Sequence, residues 1–306
     1  MGKKKLPGFL VVGAAKSGTT SLYHYLKQHP EVSLNEGQKE SWFFTNLIHD
    51  GILNGPGDVD MSLLPKTLEE YSKLFENAEH DIIGEVSPDY LFYHHMTIPK
   101  IREMLGDVKI IIILRNPVER AFSSYMHLVR DGRETLEFKE GLEAEEQRIR
   151  DKYWFIWYYK SAGLYYQQVN DYINNFKDVK VCLYDDLNAD APYLMRQIYA
   201  FLGANAEFKP NTTRKHNPSG EPRSKLLNRY LKRPNRLKDS VKPVLKTLHL
   251  YPVVQSFMNN IKGIHDKSLK AVCMNEIIRS ELIEYYKTDI MNLEAVIDRD
   301  LSHWLK

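Results

Sequence analysis

The chain has 306 residues, 43% of them hydrophobic, with 42 Lys and Arg against 40 Asp and Glu and a net charge of +2. This length and apolar content suit one α/β core, and near neutrality excludes a protein that holds nucleic acid by bulk charge. Only two cysteines occur, Cys182 and Cys273, which excludes a disulfide framework and reads as two small core residues.

Lys3, Lys4 and Lys5 read as a solvated tail ahead of Leu6-Pro7. No signal peptide is expected there, and no apolar run nears the roughly 20 residues that cross a bilayer. A cytoplasmic protein is the expectation. Phe9 to Val12 predicts a strand, and Thr19 to Gln28 a helix with Leu22, Tyr25 and Leu26 at helical spacing. His29-Pro30 ends that helix. Short or apolar runs predict further strands at 32–34, 81–86, 109–114 and 179–184. Helices are expected at 97–105, 117–130, 161–176 and 190–202, with a charged helix over 134–151. The aromatic run Tyr153-Trp-Phe-Ile-Trp-Tyr-Tyr159 reads either as core packing or as a lid over an apolar or sugar-like ligand. Residues 210–265, rich in Pro, Asn, Lys and Arg, read as a long functional loop with peripheral helices. Strand–helix alternation without repeats predicts a single three-layer α/β domain over 1–306, with a mostly parallel sheet between helices.

The turn Gly13-Ala-Ala-Lys-Ser-Gly-Thr-Thr-Ser21 lies between the first strand and the first helix. It is a phosphate cradle: glycines allow close approach, and the helix start offers N–H groups and positive dipole to an anion. Lys16 adds charge, and Thr19 and Thr20 add hydroxyls. The Walker pattern is not met, because Thr19 stands where its lysine belongs. The apolar strand ending at Leu114 is followed by Arg115-Asn116-Pro117, with no acid to hold magnesium. The site therefore reads as one for a phosphorylated ligand without a metal. No His/Cys/Asp cluster has zinc spacing, and His94, His95 and His127 read as surface or capping residues.

Lys16-Ser17-Gly18-Thr19-Thr20, together with Arg115-Asn-Pro-Val-Glu-Arg-Ala-Phe-Ser123, resembles the sulfotransferases that use 3′-phosphoadenosine 5′-phosphosulfate (PAPS). The resemblance implies a P-loop-like fold. It assigns Lys16, Ser17, Gly18, Thr19, Thr20 and Ser21 to the 5′-phosphosulfate, and Arg115 and Ser123 to the 3′-phosphate. Lys39-Glu40-Ser-Trp-Phe-Phe44 resembles the Lys-Glu-x-x-Phe-Phe segment of the glycosaminoglycan-type branch. By that likeness Glu40 is the base that takes the acceptor's proton, and Lys39 steadies the sulfuryl oxygens. Glu85-Val-Ser-Pro-Asp-Tyr90 resembles the family's segment beside the acceptor, with Val86 where heparan-type enzymes carry a lysine. Glu85, Tyr90 and Tyr165 are thus candidate acceptor contacts, with structural roles open for each. Arg214, Lys215 and Arg223 are the candidates for a basic loop over the nucleotide. The implied reaction moves a sulfuryl group from PAPS to a hydroxyl or amine of a glycan or small molecule, releasing adenosine 3′,5′-bisphosphate. Two other classes stay open, an atypical P-loop kinase and a non-catalytic nucleotide-binding module. Neither nucleic acid nor a membrane span is expected as a partner.

Overall fold

The computed structural model describes residues 4–35, 39–48, 53–213 and 272–306. Its centre is one parallel sheet of five strands in the order β2-β3-β1-β4-β5. The strands are β1 (Phe9–Gly13), β2 (Val32–Leu34), β3 (Ile82–Val86), β4 (Lys109–Leu114) and β5 (Val179–Leu183). Pairing runs Phe9 with Gly84, Leu10 with Ile110, Val32 with Ile82 and Ile111 with Lys180. β4 is apolar after its first residue because it is covered on both faces.

Strand alternation sorts the core into two layers. Phe9, Val11, Ile111 and Ile113 face one side, and Leu10, Val12, Ile110, Ile112 and Leu114 the other. The helices are α1 (Thr19–Leu26), α2 (Phe43–Asn46), α3 (Leu68–Lys73), α4 (His94–Leu105) and α5 (Pro117–Arg130), followed by α6 (Phe138–Glu143) and α7 (Glu145–Arg150). Next come α8 (Tyr165–Asn175), α9 (Tyr184–Ala189), α10 (Ala191–Leu202) and α11 (Glu276–Ile297). α1 and α10 cover the first face with Leu22, Leu26, Leu194 and Ile198. α4, α5, α8 and α11 cover the second with Ile101, Val118, Val169 and Tyr286. The three-layer α/β expectation holds.

β1 and β4 are neighbours, yet the helices that follow them leave to opposite faces: α1 to one side, α5 to the other. A crevice opens between them at the strands' C-terminal ends, where ligands of open α/β sheets bind. Gly13 ends β1 where the backbone passes close to Leu91, since a Cβ there would run into the Leu91 side chain. On the other side of the crevice, Asn116 accepts from the Val118 N–H at 2.9 Å and caps α5, with Pro117 at the first position. The tail after α11 clasps this corner. The Asn116 amide donates to the Trp304 carbonyl at 3.3 Å, and the Trp304 indole N–H donates to Asp185 at 3.0 Å. Asp289 of α11 accepts from the N–H groups of Tyr165 at 2.7 Å and Tyr166 at 3.2 Å, closing the start of α8.

Several expectations are corrected. The charged helix expected at 134–151 is two short helices, α6 and α7, because Glu134 is drawn out of helical register into the core. Glu134 accepts from Arg148 at 2.8 Å, from the Tyr159 hydroxyl at 2.7 Å, and from the N–H groups of Thr135 and Leu136. The helix expected at 97–105 begins three residues earlier, and that at 190–202 is preceded by a separate α9. Cys182 is buried, and burial pushes its thiol up to about 12, but Cys273 is exposed and belongs to no core. Among the described residues no helix is long and apolar enough to cross a membrane.

The Glu134–Arg148 pair is nearly solvent-free, with side chains 2% and 8% exposed. Glu134→Ala strands the Arg148 guanidinium in the core and should cost about 3–5 kcal/mol. The double replacement Glu134→Ala/Arg148→Met should recover part of that loss, measured by urea unfolding.

Candidate functional site

A glycine-framed turn, the start of α5 and a charged pair meet in a cavity of about 360 Å³ in the crevice between α1 and α5. Ala15, Lys16 and Gly18 to Ser21 form one wall. Gly18 holds φ +96°, the left-handed region that side chains avoid, and a Cβ there would lie 2.8 Å from Leu187 and 2.9 Å from Tyr184. It precedes α1, whose first turn has neither a side-chain cap nor an acidic residue. The N–H groups at that end are therefore available to an anion. Thr19, Thr20 and Ser21 line the cavity with Lys16 and Gly18.

Lys16 is pulled two ways. Burial lowers its pKa from 10.5 to about 8; Arg130 adds to the lowering, while Asp131 and Glu40 oppose it. The ammonium sits in a poorly hydrated place already crowded by cation, which an anion would relieve. Ser17 does not line the cavity. Its side chain is fully buried, and its N–H bonds Ala14 O at 3.2 Å. Tyr165 lies next to Ser17. Burial pushes its phenol up to about 12, against the pull of the Arg120 and Arg115 charges.

The opposite wall comes from β4 and α5. Arg115 follows β4 directly, lies over the Tyr184 ring with 4.9 Å to its centroid, and donates to the Lys16 carbonyl at 3.4 Å. Glu119, one turn on, is 3.8 Å from Arg115 and 2.5 Å from Arg279 of α11. Ser123 reaches the same cavity two turns along α5. His127 and Arg130 also line it, and the 2.7 Å contact between Arg130 and His127 joins them. His127 was expected to be a surface or capping residue; it is a cavity residue because it shares one helix face with Ser123 and Arg130.

Glu40 completes the cavity. Lys39 donates to Glu40 Oε1 at 2.7 Å and to Thr20 Oγ1 at 3.1 Å, tying the segment to the first turn of α1. The Trp42 indole N–H donates to Glu40 Oε2 at 3.1 Å. Trp42 holds φ +49°, uncommon for a bulky residue. Both carboxylate oxygens are thus fixed, yet the side chain keeps 24% exposure toward the cavity.

Glu85 and Tyr90 lie off the cavity wall. Both are wholly buried and neither lines the cavity. Glu85 accepts hydroxyl hydrogen bonds from Ser41 and Tyr71, from Ser87 at 2.5 Å and from Tyr90 at 2.8 Å. A buried carboxylate needs such donors. Tyr165 is likewise buried and off the cavity lining. Arg214, Lys215 and Arg223 lie outside the described residues.

Cavity residues that sequence reasoning missed include Trp42, Val59, Met126, His127, Arg130, Arg133 and Tyr184. The spacing of Ser123, His127 and Arg130 on one helix was a usable signal for two of them. Nothing local in the sequence marks Val59 or Tyr184.

A model of the family described as "Sulfotransferase family" matches residues 7–208. A solved sulfotransferase from Alicyclobacillus acidocaldarius superposes with a TM-score of 0.76 at 35% identity, covering 99% of this chain and 100% of that one. The membrane-associated sulfotransferase kil1 of Dictyostelium discoideum is 24% identical over 75% of this chain and 64% of its own length. Mouse heparan sulfate glucosamine 3-O-sulfotransferase 3A1 is 32% identical over 40% of this chain and 27% of its own. The chain thus spans less than two thirds of either of these curated relatives.

Lys16 sets a pH dependence. Its folded pKa is depressed, so between pH 8 and 10.5 the unfolded chain binds more protons and the ligand-free fold gains stability as pH rises. Anion binding runs the other way, because it needs the charged lysine. Affinity for adenosine 3′,5′-bisphosphate should fall as pH rises above 8, with proton uptake on binding. Calorimetry in buffers of different ionisation enthalpy measures that uptake, and Lys16→Met should remove it.

Proposed function

The chain belongs to the sulfotransferase family, and from that membership and the cavity we propose that it transfers a sulfuryl group from PAPS to an acceptor hydroxyl or amine. One observation carries the reading. The turn at Lys16, the Arg115–Ser123 wall and the Glu40 carboxylate, far apart in sequence, line a single cavity.

The residues fit the co-substrate's charges. The uncapped start of α1, the desolvated Lys16 and the hydroxyls of Thr19 and Thr20 suit a 5′-phosphosulfate. Arg115 and Ser123 suit a 3′-phosphate, with Tyr184 behind the guanidinium. When bound, PAPS supplies an activated sulfuryl group whose bond to the 5′-phosphate oxygen breaks as the bond to the acceptor oxygen or nitrogen forms. Glu40 takes the acceptor's proton, held in line by Trp42 and Lys39. Lys39 bridges base and phosphate turn through Thr20, so it steadies negative charge on both sides. Lys16 meets the charge that gathers on the leaving phosphate. Positioning and charge placement carry most of such a reaction. The unpaired cysteines, with Cys182 buried and Cys273 exposed, support action in a reducing compartment such as the cytoplasm.

The acceptor is a small molecule or sugar. The names of the heparan sulfate relatives support a sugar, whereas Val86, where heparan-type enzymes carry lysine, is buried and uncharged and supports a less anionic one.

Adenosine 3′,5′-bisphosphate at a hundred times its dissociation constant should stabilise the chain by about 2.7 kcal/mol, seen as a raised melting temperature that Arg115→Ala removes. Stabilisation by magnesium-ATP alone would overturn the reading in favour of a kinase. Glu40→Gln should lower turnover about a hundred- to ten-thousandfold and leave bisphosphate affinity within twofold. Unchanged turnover would remove Glu40 as the base.

A further inference from the structure

A carboxylate stands beside the arginine assigned to the 3′-phosphate. Glu119, one helical turn after Arg115, brings Oε2 to 3.8 Å from Arg115 Nη2. The first turn of α5 suits an acid, because the helix dipole is positive there. It does not suit a phosphate site, since a negative charge repels the ligand and competes with it for the same guanidinium. The Arg115 and Glu119 side chains are 22% and 35% exposed, so water screens their contact only in part.

α11 draws that charge away. Arg279 Nη1 donates to the other carboxylate oxygen, Glu119 Oε1, at 2.5 Å. Asn275 caps α11 by accepting from the Ile277 N–H at 2.8 Å, which fixes the turn that carries Arg279. Neither Glu119 nor Arg279 lines the cavity, whereas Arg115 and Tyr184 do. The same C-terminal element also holds the ring over which Arg115 lies. Tyr184 opens α9, and the next two residues accept from the tail: Asp185 from the Trp304 indole at 3.0 Å, Asp186 from Arg299 at 2.9 Å. Arg115 is thus bracketed by a ring and a carboxylate that α11 and the tail hold in place. Its own bond to the Lys16 carbonyl is a long 3.4 Å.

We propose that Arg279 is a positioning residue for the 3′-phosphate: by holding the Glu119 carboxylate to α11 it leaves the Arg115 guanidinium open to a phosphate dianion, and so sets how strongly the site prefers a 3′-phosphorylated nucleotide to one with a bare 3′-hydroxyl. The inference rests on Arg115 as the phosphate ligand and hence on the PAPS reading. Glu119 has two guanidinium groups in reach and sits closer to Arg279. Without the Arg279 charge it turns to Arg115 alone, and an incoming phosphate must displace it. A nucleotide without the 3′-phosphate makes no such demand.

The test compares adenosine 3′,5′-bisphosphate with adenosine 5′-monophosphate, which lacks only the 3′-phosphate, by calorimetric titration of the full chain. Arg279→Met keeps most of the stem and removes the charge. It should weaken the bisphosphate about five- to tenfold, as a partly screened charge pair does, and leave the monophosphate within twofold. Glu119→Gln alone should bind the bisphosphate at least as tightly as the unaltered chain. Added to Arg279→Met, it should restore bisphosphate affinity to within twofold of the unaltered chain. Equal losses for the two nucleotides in Arg279→Met mean a merely structural role and overturn the proposal. So does unchanged bisphosphate affinity in that variant, weakened bisphosphate binding in Glu119→Gln, or a double variant as weak as Arg279→Met. Where Arg279→Met does not fold, the Glu119→Gln arm still decides. Failure of the unaltered chain to bind the bisphosphate is a separate result. It removes the nucleotide reading, and the role of Arg279 falls with it.

Discussion

A fully buried carboxylate, Glu85, anchors the chemistry without touching it. Four hydroxyls, from Ser41, Tyr71, Ser87 and Tyr90, point at its two oxygens. A carboxyl group out of water is tolerable only when its oxygens are so satisfied. The donors are themselves tied to the segment that follows Glu40. Ser41 Oγ accepts from the Phe43 N–H at 3.1 Å, Ser87 Oγ from the Trp42 N–H at 3.4 Å, and the Tyr90 hydroxyl from the Phe44 N–H at 3.4 Å. The short α2 is thus fastened to β3. Glu40, immediately before it, is held at a fixed height above the sheet, with Phe43 and Phe44 packed below against Tyr71.

Electrostatics then divides the cavity. Lys16, Arg115 and Arg130 gather on the side of the phosphate turn and α5, where Lys16 titrates near 8 because burial and Arg130 both work against its charge. On the other side Lys39 and Arg133 are neutralised by Glu40 and Asp58. One half favours a multiply charged anion, and the other is walled by rings. A transfer reaction needs such a division, since the donor arrives with several charges and the nucleophile must lose one proton.

Much of this was legible beforehand, for definite reasons. The apolar strands and the spacing from Arg115 to Ser123 are local patterns, and they translate directly into β4, α5 and one cavity wall. The turn from Gly13 to Thr20 is local as well, apart from Ser17, whose side chain turns inward to Tyr165. What escaped the sequence depends on long-range partners. Glu134 looks like one more surface acid of a charged helix until Arg148 and Tyr159 claim it. Asp58 lies in an unremarkable loop and acquires meaning only against Trp154 and Trp157, about a hundred positions later. Glu85 and Tyr90 stand out as a motif in the sequence, but only the fold shows that both are wholly buried and off the cavity wall. Cys273 was misjudged because apolar neighbours in sequence are weak evidence for burial in a segment that precedes a helix.

The clasp formed by α11 and the tail has a consequence for how the chain is made. Asp289 closes the start of α8, Tyr286 donates to the Lys160 carbonyl at 2.9 Å, and Trp304 grips the corner beside Arg115. Every one of these contacts joins segments more than a hundred residues apart, and such contacts form late because the intervening loop must first be closed. A nascent chain that has emerged only as far as α10 holds all the sheet strands and the whole phosphate turn, yet leaves the Val169 and Tyr172 side of the core without its cover. Ribosome-bound intermediates of that length present an apolar face to chaperones until α11 closes over it.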